Sequence, residues 1–483
     1  MQTHTPLEVR PGENLYQAVA DRVIWLIKNE TLQPGDRVPS IRRMHKQLAV
    51  SIATVMQAYR LLEDRGMIEA RPQSGYYVRH AIQGLPAEPT VARGAKSPRR
   101  VRVSSVSFAL MDQLDHRGVI KLGAAVPDMD LMPLKTLNRI LGQVLRKDLY
   151  GSHEYDTPSG CERLRIEIAR RMLDAGVTVS PDDVVTTCGA TEAMYLALLS
   201  TTNPGDTVAV ETPTYHGILE QLEALKLKSL ELRTDPREGI DIDRFEQAAA
   251  AGQINALVTV CNFSNPLGSC MPCEKKRQLV EIATKYKVPI IEDDIHGELF
   301  FEGTRPKALK AYDQDDWVIY CSSFTKTISP GCRTGWCIPG NRFAASFLKA
   351  KLVTTHAAPM PTQLAIASYL KQGGYDRTLR KARSSYRDRV RRMAQAVGEF
   401  FPEGTRVSNP SGGYVLWVEM PETIDSLKLY HMAIEHEIST APGPLFSPIG
   451  HYTNCIRLNC GVSWSKQLID ALELLGRMAA KLA

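Results

Sequence analysis

The chain has 483 residues, 43% of them hydrophobic and 23% charged, enough for two or three domains with sizeable cores. It contains no run of about 18 apolar residues, and its start, "MQTHTPLEVRPGENLYQ", lacks the basic-then-apolar pattern of a secretory signal. A soluble, cytoplasmic protein with no membrane partner is therefore expected. The formal net charge is +6, yet residues 1–80 carry 11 Lys+Arg against 8 Asp+Glu and residues 81–105 carry five against one. The basic excess lies in the first fifth of the chain, where a polyanion partner is expected, ahead of a near-neutral body suited to a small molecule.

In chain order, "NLYQAVADRVIWLIKNE" (14–30) spaces Leu15, Val19, Val23 and Ile27 as the apolar stripe of a helix, which "LQPGD" stops. Ser40 is the expected N-cap of a short second helix, "IRRMHKQL". Ser51 opens a third, "IATVMQAYRLLED", which Gly66 ends. Two short helices joined by "AV" make a helix-turn-helix. The following "MIEARPQSGYYVR" alternates and turns at "QSG" like a hairpin, so residues 10–80 read as a winged helix. In that geometry the second helix of the motif enters the major groove of double-stranded DNA while helix ends and wing meet phosphates. The expected DNA-binding residues are Arg42, Arg43, Ser51, Thr54, Tyr59, Ser74 and Gly75.

The stretch "LQPGDRVPSIRRMHKQLAVSIATVMQAYRLLEDRGMIEARPQSGYYV" closely resembles the GntR-type winged-helix domain over about 65 residues. It departs at Ile52 and Ala53, where relatives usually carry Arg and Thr or Ser. Residues 81–105, "AIQGLPAEPTVARGAKSPRRVRVSS", lack apolar periodicity and are expected to form a flexible basic linker.

Beyond residue 106, strand-like runs ("DVVTTC", "TVAVE", "ALVTVC", "VPIIEDD", "DWVIYCSS") alternate with helical stretches ("ATEAMYLALLSTT", "YHGILEQLEALK", "KKRQLVEIATKYK"). This predicts a large α/β domain over 106–483, a mainly parallel sheet covered on both faces, with ligands at the carboxyl ends of the strands. Cys270 and Cys273 in "SCMPCEKK" are the one paired cysteine spacing among ten cysteines; no second arm matches it, so no metal site is expected.

The strand-end residues form an ordered set: Ala190 and Thr191 after Gly189, Tyr215, Asn265, Asp293, Ser323, Lys326 and Arg333. As a set they closely resemble the fold-type I aminotransferases, over roughly residues 118 to 480, implying a seven-stranded-type sheet and a smaller C-terminal α/β subdomain from about 375. The resemblance implies pyridoxal 5′-phosphate (PLP) as cofactor. Lys326 in "SSFTKTISPGCRTGW" would form the Schiff base, which requires an amine able to lose its proton. Asp293, with Asp294 as a substitute, would hold the pyridine nitrogen. Ala190, Thr191, Ser323 and Arg333 would cup the phosphate, Tyr215 would stack on the ring and Asn265 would bind its phenolic oxygen. Tyr155 matches a tyrosine that reaches the phosphate of the neighbouring subunit, implying a homodimer, and Arg457 in "CIRLNCG" matches the arginine that holds a substrate or effector carboxylate. A tyrosine usually follows the "DD" pair; this chain has Ile295 and His296 there.

The two modules in this order resemble the MocR subgroup of GntR-type bacterial regulators. The expected function is a DNA-binding transcriptional regulator whose aminotransferase-like domain senses PLP, or an amino acid or amine effector, and alters operator binding. The alternative is an active PLP-dependent aminotransferase with an accessory DNA-binding module; residual aminotransferase activity is compatible with the regulator.

Overall fold

The computed structural model describes residues 14–29, 31–33, 36–64, 67–71, 74–78, 85–91, 94–101 and 118–483. Gly66 and the outer residues of the expected hairpin turn, linker and large-domain start (72–73, 79–84, 92–93, 102–117) lie outside the described residues. The chain divides into two compact units at Leu85 and Pro86.

In the first unit, α1 (Leu15–Lys28), α2 (Ile41–Leu48) and α3 (Ile52–Asp64) precede a hairpin of β1 (Ile68–Arg71) and β2 (Gly75–Val78). Ser40 Oγ accepts from Arg43 N and Ser51 Oγ from Thr54 N, each satisfying an amide that has no partner inside its helix. Ala49 turns the chain between α2 and α3 in the left-handed region (φ 53°). The core collects Val19, Val23, Met44, Val55, Tyr59, Leu62, Ile68 and Val78 from all five elements.

The second unit is built on a nine-stranded sheet. Lys228–Asp235, Thr207–Thr212, Ala256–Thr259, Ile290–Asp293 and Val318–Ser323 run parallel, followed by the antiparallel Gly335–Ile338 and then Val185–Thr187. The strands Thr207–Thr212, Ala256–Thr259, Ile290–Asp293 and Val318–Ser323 are buried along their whole length, which is why their apolar residues (Val208 to Val210, Ala256 to Val258, Ile290 and Ile291, Val318 to Cys321) are consecutive rather than alternating. A second, antiparallel sheet (Arg406–Val407, Val415–Glu419, Cys455–Asn459, Ala441–Pro442) is accompanied by the helices Tyr375–Phe400, Ser426–Ile434 and Lys466–Lys481. Ile120–Lys121 pairs with Ile438–Ser439, bringing the start of the domain beside its end.

The described part of the expected linker is not a free tether. Residues 86–91 and 94–101 form a strap on the second unit: Arg99–Arg100 adds to the free edge of Lys228–Asp235, Ala95 N donates to Glu231 O at 2.9 Å, and Val407 N donates to Ala87 O at 2.8 Å. Thr90 gives both its amide and its hydroxyl to Glu419, at 2.6 and 2.8 Å. A Cβ on Gly94 would stand 2.8 Å from Arg233 N, so only glycine lets the strap lie this close. Local composition reads as loop because an unpaired sheet edge, distant in sequence, supplies the hydrogen bonds that hold it.

Candidate functional site

The carboxyl ends of the parallel strands open into a cavity of about 250 Å³ that also touches the second sheet. Of the sequence-expected residues, Ala190, Thr191, Tyr215, Asn265, Asp293, Lys326, Arg333 and Arg457 line it. They come from seven separate chain segments.

Lys326 closes a single 3-10 turn, Phe324–Lys326, directly after Val318–Ser323, and Ser323 Oγ caps that turn by accepting from Thr325 N at 3.1 Å. Ser323 is buried beneath the turn and does not line the cavity. Lys326 Nζ donates to Ala125 O at 2.7 Å. Burial, then the nearby Arg457, press its pKa down to about 8, opposed by Asp293. Asp293, at the end of its strand, accepts from Ile295 N at 3.1 Å; burial, reinforced by Asp294, pushes its carboxyl up to about 7. The two aspartates have separate fates. Asp294 is held by Asn262, Arg305 and Tyr320 at 2.8–2.9 Å in a buried network and does not line the cavity, so only Asp293 faces a ligand.

Arg457 lies on Cys455–Asn459 with 1% of its surface exposed. It donates to Asn265 Oδ1 at 3.1 Å and to Gly123 O, its Nε is unpartnered, and among the described residues no carboxylate pairs with it. A buried cation without a counter-ion is costly, and burial presses its pKa down to about 10; an incoming anion relieves that cost. At the opposite side, Gly189 (φ 88°) caps the helix Ala190–Thr201, whose first amides have no partner inside the helix. A Cβ on Gly189 would stand 2.8 Å from the Arg333 guanidinium, which donates to Cys188 O. Amides and guanidinium together make a cradle for a dianion. Tyr215, whose hydroxyl burial pushes up to about 12, stands at the entry of the helix His216–Ala224. Tyr155 is 91% exposed, edge-on to His356, and outside the cavity.

The cavity also holds residues the sequence did not single out as contacts: the Gly123–Pro127 loop, Met194, His216, Val260, Pro330 and His296. The loop comes from the domain start and accepts hydrogen bonds from Lys326 and Arg457 through backbone carbonyls, which leave no trace in residue type. Cys270 and Cys273 sit at the entry of the helix Cys273–Tyr286, and among the described residues no cluster of three or more metal-ligating side chains occurs.

In the first unit, Arg42, Arg43 and Ser51 are exposed at the starts of α2 and α3, with Thr54 partly so, and Ser74 bonds the Tyr77 hydroxyl beside an exposed Gly75. Tyr59 corrects the expectation of a DNA contact. It is fully buried, its hydroxyl donates to Pro39 O at 2.5 Å and its ring packs edge-on against Tyr76. The exposed face of α3 carries Ile52, Ala53, Met56, Gln57 and Arg60 instead.

The model of aminotransferases class I and II matches residues 117–472, and that of the bacterial regulatory proteins of the gntR family matches residues 15–78. The chain is 38% identical over 463 residues to the Escherichia coli K12 HTH-type transcriptional regulator YdcR, covering 96% of this chain and 98% of that one. To YjiR of the same organism it is 34% identical, covering 95% and 98%. The chain belongs to the GntR-type regulators that carry an aminotransferase class I and II domain, the MocR type. Among solved structures, the Pyrococcus horikoshii kynurenine aminotransferase superposes with a TM-score of 0.73 at 27% identity, covering 79% of this chain and 95% of that one. The Thermococcus profundus multiple substrate aminotransferase gives 0.73 at 25%, covering 79% and 96%. As a member of this regulator family the chain is a DNA-binding transcriptional regulator, and its aminotransferase domain implies PLP as cofactor. The cavity fits that group: a dianion cradle at Gly189 and Arg333, a buried amine on Lys326 and a buried carboxyl on Asp293 face one space. Among the described residues no helix is long and apolar enough to cross a membrane.

Proposed function

We propose that this regulator reads the supply of PLP, or of an amino acid or amine that reacts with it, through the cavity around Lys326, and that occupancy alters how its winged helix binds operator DNA. The observation that carries the reading is the meeting of Lys326, Asp293 and the unpaired Arg457 in one buried cavity on a chain that also bears a gntR-family domain. Lys326 is the amine that holds the cofactor covalently, and Asp293 faces its ring nitrogen. Thr191, Arg333 and the amides at Ala190 take the phosphate. Tyr215 stacks on the ring and Asn265 meets its phenolic oxygen. Arg457 binds the carboxylate of the effector. PLP, when bound, supplies an aldehyde able to condense with an amine; the protein orients it and excludes water.

Arg42, Arg43, Ser51, Thr54, Ser74 and Gly75 contact DNA. The protein acts in the cytoplasm as a homodimer, with Tyr155, exposed on its own subunit, reaching the phosphate of the neighbouring one. Leu149, Tyr150, Leu352 and Val353 are also strongly exposed and apolar, which supports a covered face. The test is operator binding measured with and without PLP and with amino acids or amines, on DNA recovered by sequencing what the protein binds. Effector-dependent affinity that Lys326→Ala removes is expected, and affinity indifferent to all ligands and to that substitution sinks the reading.

A second reading, turnover as an aminotransferase, is favoured by one observation: the full set Asn265, Asp293, Lys326, Arg333 and Arg457 lines one cavity. Keto-acid formation from an amino acid in the absence of DNA tests it.

A further inference from the structure

His296 stands where a tyrosine is usual, and its surroundings decide what it can do. It is 2% exposed and lines the cavity. Its Nδ1 lies 3.1 Å from Phe263 O. A carbonyl only accepts, so Nδ1 carries the hydrogen. The ring is neutral: burial, with Lys326 and Arg457 nearby, presses its pKa down to about 3. Nε2 is therefore a bare acceptor, and among the described residues it has no partner. The ring is edge-on to Tyr414, whose hydroxyl is engaged by Ala125 O, so no neighbouring donor answers it. In the same cavity, Asn265 has the opposite polarity. Its Oδ1 is taken by Arg457, an obligate donor, which leaves Nδ2 to donate.

We propose that His296 Nε2 accepts a hydrogen bond from a ligand hydroxyl, so that PLP is held with its phenolic oxygen protonated, accepting from Asn265 Nδ2 and donating to His296. A tyrosine hydroxyl at this place could donate to a phenolate; a neutral imidazole locked by Phe263 O offers only a lone pair, which repels one. No proton is gained or lost overall. The single proton shared between the nitrogen and the phenolic oxygen of the lysine-bound cofactor rests on oxygen, which makes the nitrogen-bonded carbon less electrophilic and slows exchange with incoming amines. His296 would thus favour retention of the cofactor over turnover, as befits a sensor. The proposal rests on the reading that PLP bonds to Lys326.

The experiment is absorbance of the PLP-loaded full chain at one fixed pH, for wild type, His296→Tyr, His296→Phe and Lys326→Ala. The form with the proton on oxygen absorbs at shorter wavelength than the form with it on nitrogen. The short-wavelength band is expected to dominate in wild type, and His296→Tyr is expected to shift the ratio towards the long-wavelength band by about tenfold, the scale of one buried hydrogen bond. A wild type dominated by the long-wavelength band and unchanged by His296→Tyr overturns the proposal. Should the variants fold poorly, a PLP analogue lacking the phenolic hydroxyl reads the same contact on wild type. Weaker retention than PLP is expected, and equal retention counts against the role of His296. If borohydride fixes cofactor in wild type but not in Lys326→Ala, the parent reading stands whatever His296 does; if it fixes none in either, the parent reading itself fails.

Discussion

Lys326 shows how much of a residue's chemistry comes from its surroundings. An exposed lysine has a pKa near 10.4, but burial beside Arg457 presses this one down to about 8, so about one molecule in ten carries the neutral amine at pH 7. A lysine whose folded pKa lies below its unfolded value favours the unprotonated form. Covalent PLP uptake, which needs that form, is therefore expected to quicken about tenfold per pH unit below 8 and to level off above it; stopped-flow absorbance checks this, and a rate still climbing beyond pH 10 contradicts it. By the same linkage the unliganded protein gains stability from this group as pH rises from about 8 towards the unfolded value, whereas Asp293, raised to about 7, withdraws stability as pH rises from about 4 to 7. Arg457→Ala is expected to abolish the spectral response to amino acids while sparing the response to amines, because only the former bring a carboxylate. Whether Asp293 or Asp294 faced the site was open at the level of residue type; the partners Asn262, Arg305 and Tyr320 take Asp294, and these are distant in sequence.

At the scale of elements, α3 carries two kinds of position. Tyr59 turns to the core, and Tyr59→Phe, which removes the bond to Pro39 O, is expected to lower the stability of the winged helix by about 1 kcal/mol, read by hydrogen exchange in the full chain. Arg42→Ala, at an exposed helix start, is expected to leave exchange unchanged while weakening operator binding and reducing its salt dependence by about one counterion. The strap of residues 86–91 and 94–101 has its own test. Glu419→Ala removes both acceptors of Thr90, and faster exchange at residues 87–91 is expected with cofactor binding intact. Strand periodicity was legible for the fully buried strands, whose apolar runs are continuous. The four-residue Gly335–Ile338 was not: only its antiparallel pairing on both sides makes it a strand.

At the scale of the molecule, a regulator must connect occupancy of one unit to DNA binding by the other, and the free energy for this comes from differential affinity of the effector for two states. The proposed homodimer is expected to sediment at about twice the chain's 53.7 kDa, and Tyr155→Ala is expected to loosen PLP without altering the unliganded fold, since Tyr155 is 91% exposed on its own subunit. The sequence by itself determined the two modules, their order, the apolar strands and the residue types at their ends, because burial periodicity, caps and strand-end chemistry are local. Only the tertiary structure decided which of those residues share a cavity, that Tyr59 is core, that Ser323 caps rather than lines, that the described part of the linker is a strap, and that His296 presents a bare acceptor. The cavity and the strap depend on partners far away in sequence, Tyr59 and His296 on a backbone carbonyl and Ser323 on a backbone amide, and none of these is written in residue identity.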